Sequence, residues 1–140
     1  MPVEGAFEGT AGNGRAVLII EDSENSAATL EIAFLGIPGL SVLMASSAVE
    51  ALRILTDRAT AVQAIVTDLN MPRMDGFELI RRVRQDHRLS RTPIIVVSAD
   101  TDPATPGRIA DLGVDAFFPK PFSPAQVRRR LEQLLNATTQ

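Results

Sequence analysis

The chain has 140 residues, 45% hydrophobic and 22% charged, which is enough for one domain with a real apolar core. A net charge of -3 gives no global attraction to nucleic acid or to an anionic membrane. The absence of cysteine excludes disulfides, thiol nucleophiles and cysteine-ligated metals. The single histidine, His87, argues against a Ser-His-Asp triad or a multi-histidine metal site.

The first fourteen residues, MPVEGAFEGTAGNG, hold four glycines and no basic residue, and suggest a flexible leader over 1–14 rather than a signal peptide. Ala16 to Ile20 (AVLII) is a β-branched apolar run that predicts a buried strand, ending at Glu21 and Asp22. Ser23 is a suitable N-cap for a helix reaching Ile37, with Leu30, Ala33, Phe34 and Ile37 on one face. Ser41 to Ala45 predicts a second strand, and Ala48 to Arg58 a helix burying Ala48, Leu52 and Leu55. Ala64 to Thr67 (AIVT) predicts a third strand that stops at Asp68. A helix from Gly76 to His87 follows, with Phe77, Ile80 and Val83 inward and Arg81, Arg82 and Arg84 largely outward.

Ile94 to Val97 predicts the fourth strand. The helix expected after it, Pro106 to Leu112, is weak, because Pro103, Pro106 and Gly107 are poor in a helix interior. Ala116 to Phe118 is a short fifth strand, and Pro124 to Leu135 a last helix burying Val127, Leu131, Leu134 and Leu135. No apolar run approaches the roughly 20 residues needed to span a bilayer. The expected organisation is a leader, one domain over 15–137 and a polar tail over 138–140.

Apolar strands alternating with amphipathic helices imply a parallel sheet covered on both faces, an α/β doubly wound fold. Such sheets bind ligands at the carboxyl ends of their strands. Here those ends carry Glu21, Asp22, Asp68, Ser98 and, beyond the fifth strand, Lys120, the only lysine beside thirteen arginines. Taken singly, each has an ordinary explanation as a cap or a solvated loop charge. Together, three carboxylates, a hydroxyl and a lysine on one edge suit a hard cation such as Mg²⁺ and a carboxylate nucleophile. That explains why Asp68 ends a core strand.

Four motifs then fall in order on the right elements: LIIEDSE, TDLNMPRMDGFEL, PIIVVSAD and DAFFPKPF. With them the chain resembles the receiver domain of bacterial two-component response regulators, in particular single-domain chemotaxis-type receivers, over about Arg15 to Ala137. The resemblance implies a five-stranded flavodoxin-like sheet in the order 2-1-3-4-5. It implies that Asp68 accepts a phosphoryl group from a histidine kinase or phosphotransfer protein. Asp22 would hold Mg²⁺ directly, Glu21 through water, and Asn70 through its backbone carbonyl. Ser98 and Lys120 would contact the phosphoryl group, and the Lys120-Pro121 bond would be cis. Ser98 and Phe117 would form the switch, Phe117 standing where relatives often have tyrosine.

Asn70 and Asp100 occupy positions that tune aspartyl-phosphate lifetime, and their identities imply rapid self-dephosphorylation. Output would be contact with a downstream protein, or a homodimer through the face of the fourth helix, fifth strand and fifth helix. No enzyme activity on other molecules, no direct nucleic-acid binding and no membrane contact are expected, and the location implied is cytoplasmic. The rival readings are a phosphorylation-independent scaffold and an aspartate-nucleophile phosphatase; the latter would need a second aspartate where Asn70 stands. A flavin protein is disfavoured because Glu21, Asp22 and Glu24 would repel a phosphate. His87 is expected to be solvated, and Arg128, Arg129 and Arg130 to form a solvated or protein-contacting face.

Overall fold

The structure, a computed structural model, describes residues 15–138. The proposed leader and the last two residues of the proposed tail lie outside that range. Five strands, β1 (Arg15–Ile20), β2 (Leu40–Ala45), β3 (Ala64–Thr67), β4 (Ile94–Ser98) and β5 (Ala116–Pro119), alternate with five helices. The helices are α1 (Glu24–Phe34), α2 (Ala48–Thr56), α3 (Gly76–Gln85), α4 (Thr105–Asp111) and α5 (Pro124–Thr138). All strand pairs are parallel, as the alternation of strands and helices implied, and the order β2-β1-β3-β4-β5 is the one the family resemblance implied.

Successive strand residues point to opposite faces, so each central strand supplies two cores. Leu18, Ile20, Ile65, Ile94 and Val96 pack with Ala48, Leu55, Ile80, Val83 and Ile109 from α2, α3 and α4. Val17, Ile19, Val66, Ile95 and Val97 pack with Leu30, Phe34, Val127, Leu131 and Leu135 from α1 and α5. With both faces covered, β3 and β4 are buried at every residue. The register sets Ile20 beside both Ala45 and Thr67, and Ser98 beside Pro119, so the residues that follow the strands share one edge.

Several boundaries and orientations differ from expectation. The α1 helix ends at Phe34, yet Ile37 still packs into the core from the following turn. In α2 it is Ala51 that is buried beside Ala48 and Leu55, while Leu52 is only partly covered. Leu79 joins the inward face of α3, and α5 runs through Thr138, three residues past the expected stop.

Arg84 does not point outward. Its guanidinium folds back on the carbonyls of Leu89, Ser90, Thr92 and Gly113 and lies 3.5 Å from Asp115. A planar five-donor fork can cap several carbonyls at once, which a point-charge lysine cannot. Arg81 and Arg82 are exposed as expected, each paired with Glu78. His87 lies beyond the end of α3 and is exposed.

Candidate functional site

Asp68 follows β3 directly. Its N–H donates to Ile20 O at 3.0 Å, continuing the ladder with β1, and its carboxylate turns back to accept Leu69 N–H at 2.6 Å. Asn70 N–H lies 3.4 Å from the same oxygen. Asp68 is 5% exposed, Glu21 4% and Ser98 0%, whereas Asp22 is exposed. Buried carboxylates need partners, because desolvation of an unpaired ion is costly.

Lys120 provides them. Its Nζ lies 2.8 Å from Glu21 Oε1 and 3.1 Å from Asp68 Oδ2. Lys120 is held there by its own N–H, which donates to Ser98 O at 2.8 Å. The Lys120-Pro121 bond is cis, as expected. The second oxygen of Glu21 accepts Ser23 N–H at 3.1 Å, at the start of α1. Ser98 ends β4, one residue beyond the strand expected, and its hydroxyl oxygen accepts Asp100 N–H at 3.1 Å.

The electrostatics follow from this packing. Burial raises the pKa of Glu21 above its ordinary value, and nearby Asp68 adds to the rise. The hydrogen bonds from Lys120 and Ser23 oppose it without cancelling it. Burial alone would lower the pKa of Lys120, but its bonds to Glu21 and Asp68 outweigh burial and hold the ammonium protonated.

Carboxylate oxygens of Glu21, Asp22 and Asp68 lie within 4.8 Å of one another. Three carboxylates against one ammonium leave an excess of negative charge, which a divalent cation would balance. The donors are all oxygens, the chemistry Mg²⁺ prefers, and opposite ligands of an octahedral Mg²⁺ stand about 4.2 Å apart. Both Glu21 oxygens are already engaged, whereas Asp22 is exposed and has spare acceptor capacity. The donor set therefore fits such an ion, with Asp22 the freest to ligate.

The remaining predicted residues lie at several places in the fold. Asn70 is exposed at the start of the β3–α3 loop, and Asp100 is half-buried after β4. Phe117, paired with Val96, is half-buried and lines a groove with Pro106, Ile109 and Val114 of the α4–β5 face. Of the arginine triplet, Arg128 lies over Gly36, Arg130 donates to Asp115 O and Arg129 is exposed.

One site residue escaped the sequence reading. Gly76 N–H donates to Leu69 O at 2.8 Å, and a Cβ at Gly76 would sit against the Asp68 carbonyl and 2.7 Å from Leu69 Cα. Only a residue without a side chain lets α3 start this close to the nucleophile's backbone. The signal was the Asp75-Gly76 pair at the head of α3, interpretable as a turn alone.

A doubly wound parallel sheet in the order β2-β1-β3-β4-β5, with an acidic cluster, a hydroxyl and a lysine at the carboxyl ends of β1, β3, β4 and β5, defines a flavodoxin-like α/β domain. Residues 17–132 match the response regulator receiver domain, and the chain belongs to that family.

A chemotaxis protein CheY homolog of Campylobacter jejuni is 31% identical over 85% of this chain and 91% of its own length. The transcriptional regulatory protein GltR of Pseudomonas aeruginosa is 31% identical over 89% of this chain, which spans only 50% of GltR. Among solved structures, the chemotaxis response regulator CheY4 of Vibrio cholerae superposes with a TM-score of 0.76 at 27% identity, covering 86% of this chain and 98% of its own. The Francisella response regulator 1452 receiver domain gives 0.79 at 26% identity, covering 89% and 99%. Among the described residues, no helix is long and apolar enough to cross a membrane.

Proposed function

We propose that this domain is a phosphoacceptor switch: Asp68 takes a phosphoryl group from a phosphohistidine on a sensor kinase or phosphotransfer protein. An oxygen of the Asp68 carboxylate attacks phosphorus, the P–N bond to imidazole breaks, and an acyl phosphate results. The observation that carries this reading is the Lys120 ammonium bridging Glu21 and Asp68 at 2.8 and 3.1 Å beside a third carboxylate.

Mg²⁺ held by Asp22 and Asp68, with Glu21 through water and the Asn70 carbonyl, would neutralise charge on the entering phosphoryl group. Lys120, kept protonated by its partners, would pair with the same group. Ser98 donates its hydroxyl once it turns from its own loop, and Phe117 follows, reshaping the α4–β5–α5 face for a downstream protein or a second copy. The domain acts in the cytoplasm and turns over no substrate beyond its own phosphorylation and hydrolysis, the latter hastened by Asn70 and Asp100.

The test is intact-protein mass after incubation with acetyl phosphate, with and without Mg²⁺, on wild type and Asp68→Asn. A single Mg²⁺-dependent phosphoryl adduct, lost in the variant, is expected. No adduct under conditions that phosphorylate a control receiver would overturn the proposal in favour of a constitutive scaffold.

A further inference from the structure

The α4 helix is held less securely than its neighbours. It has seven residues, its N-cap Ala104 gives no side-chain bond, and Gly107 lies in its first turn, although Pro106 is well accommodated there. Poor propensity and a missing cap both weaken a helix start. Thr105 is 1% exposed, and its hydroxyl has no hydrogen-bond partner. An orphaned buried hydroxyl destabilises the arrangement that buries it, and any movement admitting water relieves it.

Beyond the burial of Thr105 and Ile109 and the Thr105 N–H bond to Asp102 O at 3.0 Å, two further contacts hold this turn in place. One is a ladder through the preceding loop: Ser98 Oγ accepts Asp100 N–H at 3.1 Å, Asp100 Oδ1 accepts Asp102 N–H at 2.8 Å, and Asp102 Oδ1 accepts Ala104 N–H at 2.9 Å. Each bond spans two residues, so the ladder runs without a break from the Ser98 hydroxyl to the α4 N-cap. The other is Arg108, whose guanidinium carbon lies 3.9 Å from the centroid of the Phe77 ring. Phe77 adjoins Gly76, which is packed against the Asp68 backbone.

We propose that the Arg108–Phe77 stack is a latch that holds α4 in its present position and thereby opposes the turn of Ser98 toward Asp68. Moving the Ser98 hydroxyl breaks the first rung of the ladder, so the loop and the α4 start must shift with it. The orphaned Thr105 hydroxyl favours that shift, and the stack opposes it. A cation over an aromatic face is an attraction that a neutral side chain of similar length lacks. Releasing the latch therefore raises the population of the state that receives phosphate best. The link to phosphorylation rests on the reading of Asp68 proposed above; the latch itself does not.

Arg108→Gln keeps helix propensity but removes the cation and shortens the side chain, and Phe77→Leu keeps an apolar side chain but removes the ring. In the unphosphorylated protein, amide exchange over residues 105–111 is expected to speed about two- to fivefold in Arg108→Gln, the equilibrium equivalent of an exposed cation–π contact, and at least as much in Phe77→Leu, which also loses core packing. The double variant should show no further increase. With acetyl phosphate, Arg108→Gln should reach half-maximal phosphorylation at a correspondingly lower donor concentration.

Unchanged exchange in Arg108→Gln overturns the latch, and that result stands even if Phe77→Leu fails to fold. Faster exchange with unchanged phosphorylation overturns the coupling. Absence of any adduct on wild type sinks the phosphoacceptor reading instead, with the exchange result still deciding the latch.

Discussion

Gly76→Ala and Gly107→Ala make the same chemical change at two helical glycines and should shift stability in opposite directions. In a helix, alanine gains up to about 1 kcal/mol over glycine, largely through reduced freedom of the unfolded chain. At Gly107 the added methyl meets nothing within 4 Å, so the gain should appear nearly whole, at about 0.5–1 kcal/mol. At Gly76 the methyl would press on the Asp68 carbonyl and lie 2.7 Å from Leu69 Cα, both on the backbone leaving β3. A flexible side chain could swing away; this backbone is tied to Ile20 O and to Gly76 itself.

Overpacking of this kind costs about 1–3 kcal/mol and exceeds the propensity gain. Net destabilisation of up to about 2 kcal/mol is expected, with reduced phosphorylation of Asp68 because its backbone is what must move. Urea denaturation of both variants, scored on midpoint at constant slope, is the assay. Equal stabilisation by the two substitutions would refute the packing argument and with it the role given to Gly76.

Lys120→Met removes a cation that bridges two buried carboxylates. It should destabilise the protein at neutral pH in EDTA by about 3 kcal/mol, with partial recovery on adding Mg²⁺; a loss below about 1 kcal/mol would show that the bridge contributes little. Glu21 gives a pH test with an unusual sign. Because burial raises its folded pKa, the native state binds its proton more readily than the unfolded chain just above the ordinary glutamate range. Its contribution to stability therefore falls as pH rises through that window and is regained on acidification. Glu21→Gln should remove that component from the stability-pH curve in EDTA, and an unchanged slope would contradict the assignment.

The parallel, doubly wound sheet and the cluster of residues at its strand ends were legible from local patterns, whereas the strand order came with the family resemblance. Buried parallel strands consist of unbroken apolar runs, such as AIVT and IIVV, and the residues closing them are the ones that can reach a ligand. What stayed hidden depends on distance in space. Nothing in the spacing of Arg84 separates it from Arg81 and Arg82, yet two chain segments, 89–92 and 113, converge where its guanidinium can cap their carbonyls. Ala51 displaces Leu52 from the core because of where α2 meets the sheet. Gly76 matters because Asp68 and Leu69 lie against it, and α5 outlasts its apolar stripe because Asn136 to Thr138 carry no stop signal.

Arg84 also limits how α4 can move. By donating to Gly113 O, just past the far end of the helix, and to the turn before β4, it pins that end to the base of the sheet. Gly113, at φ +82°, provides the turn beneath the pin. The opposite end is held by its own loop, through the 98–104 ladder and the Thr105 N–H bond to Asp102 O, and by one stacked arginine. A rod fixed at its base and loose at its tip pivots rather than slides, so a displacement begun at Ser98 would emerge as a change of tilt. A partner reading that tilt would meet the largest displacement near Thr105 and almost none at Gly113.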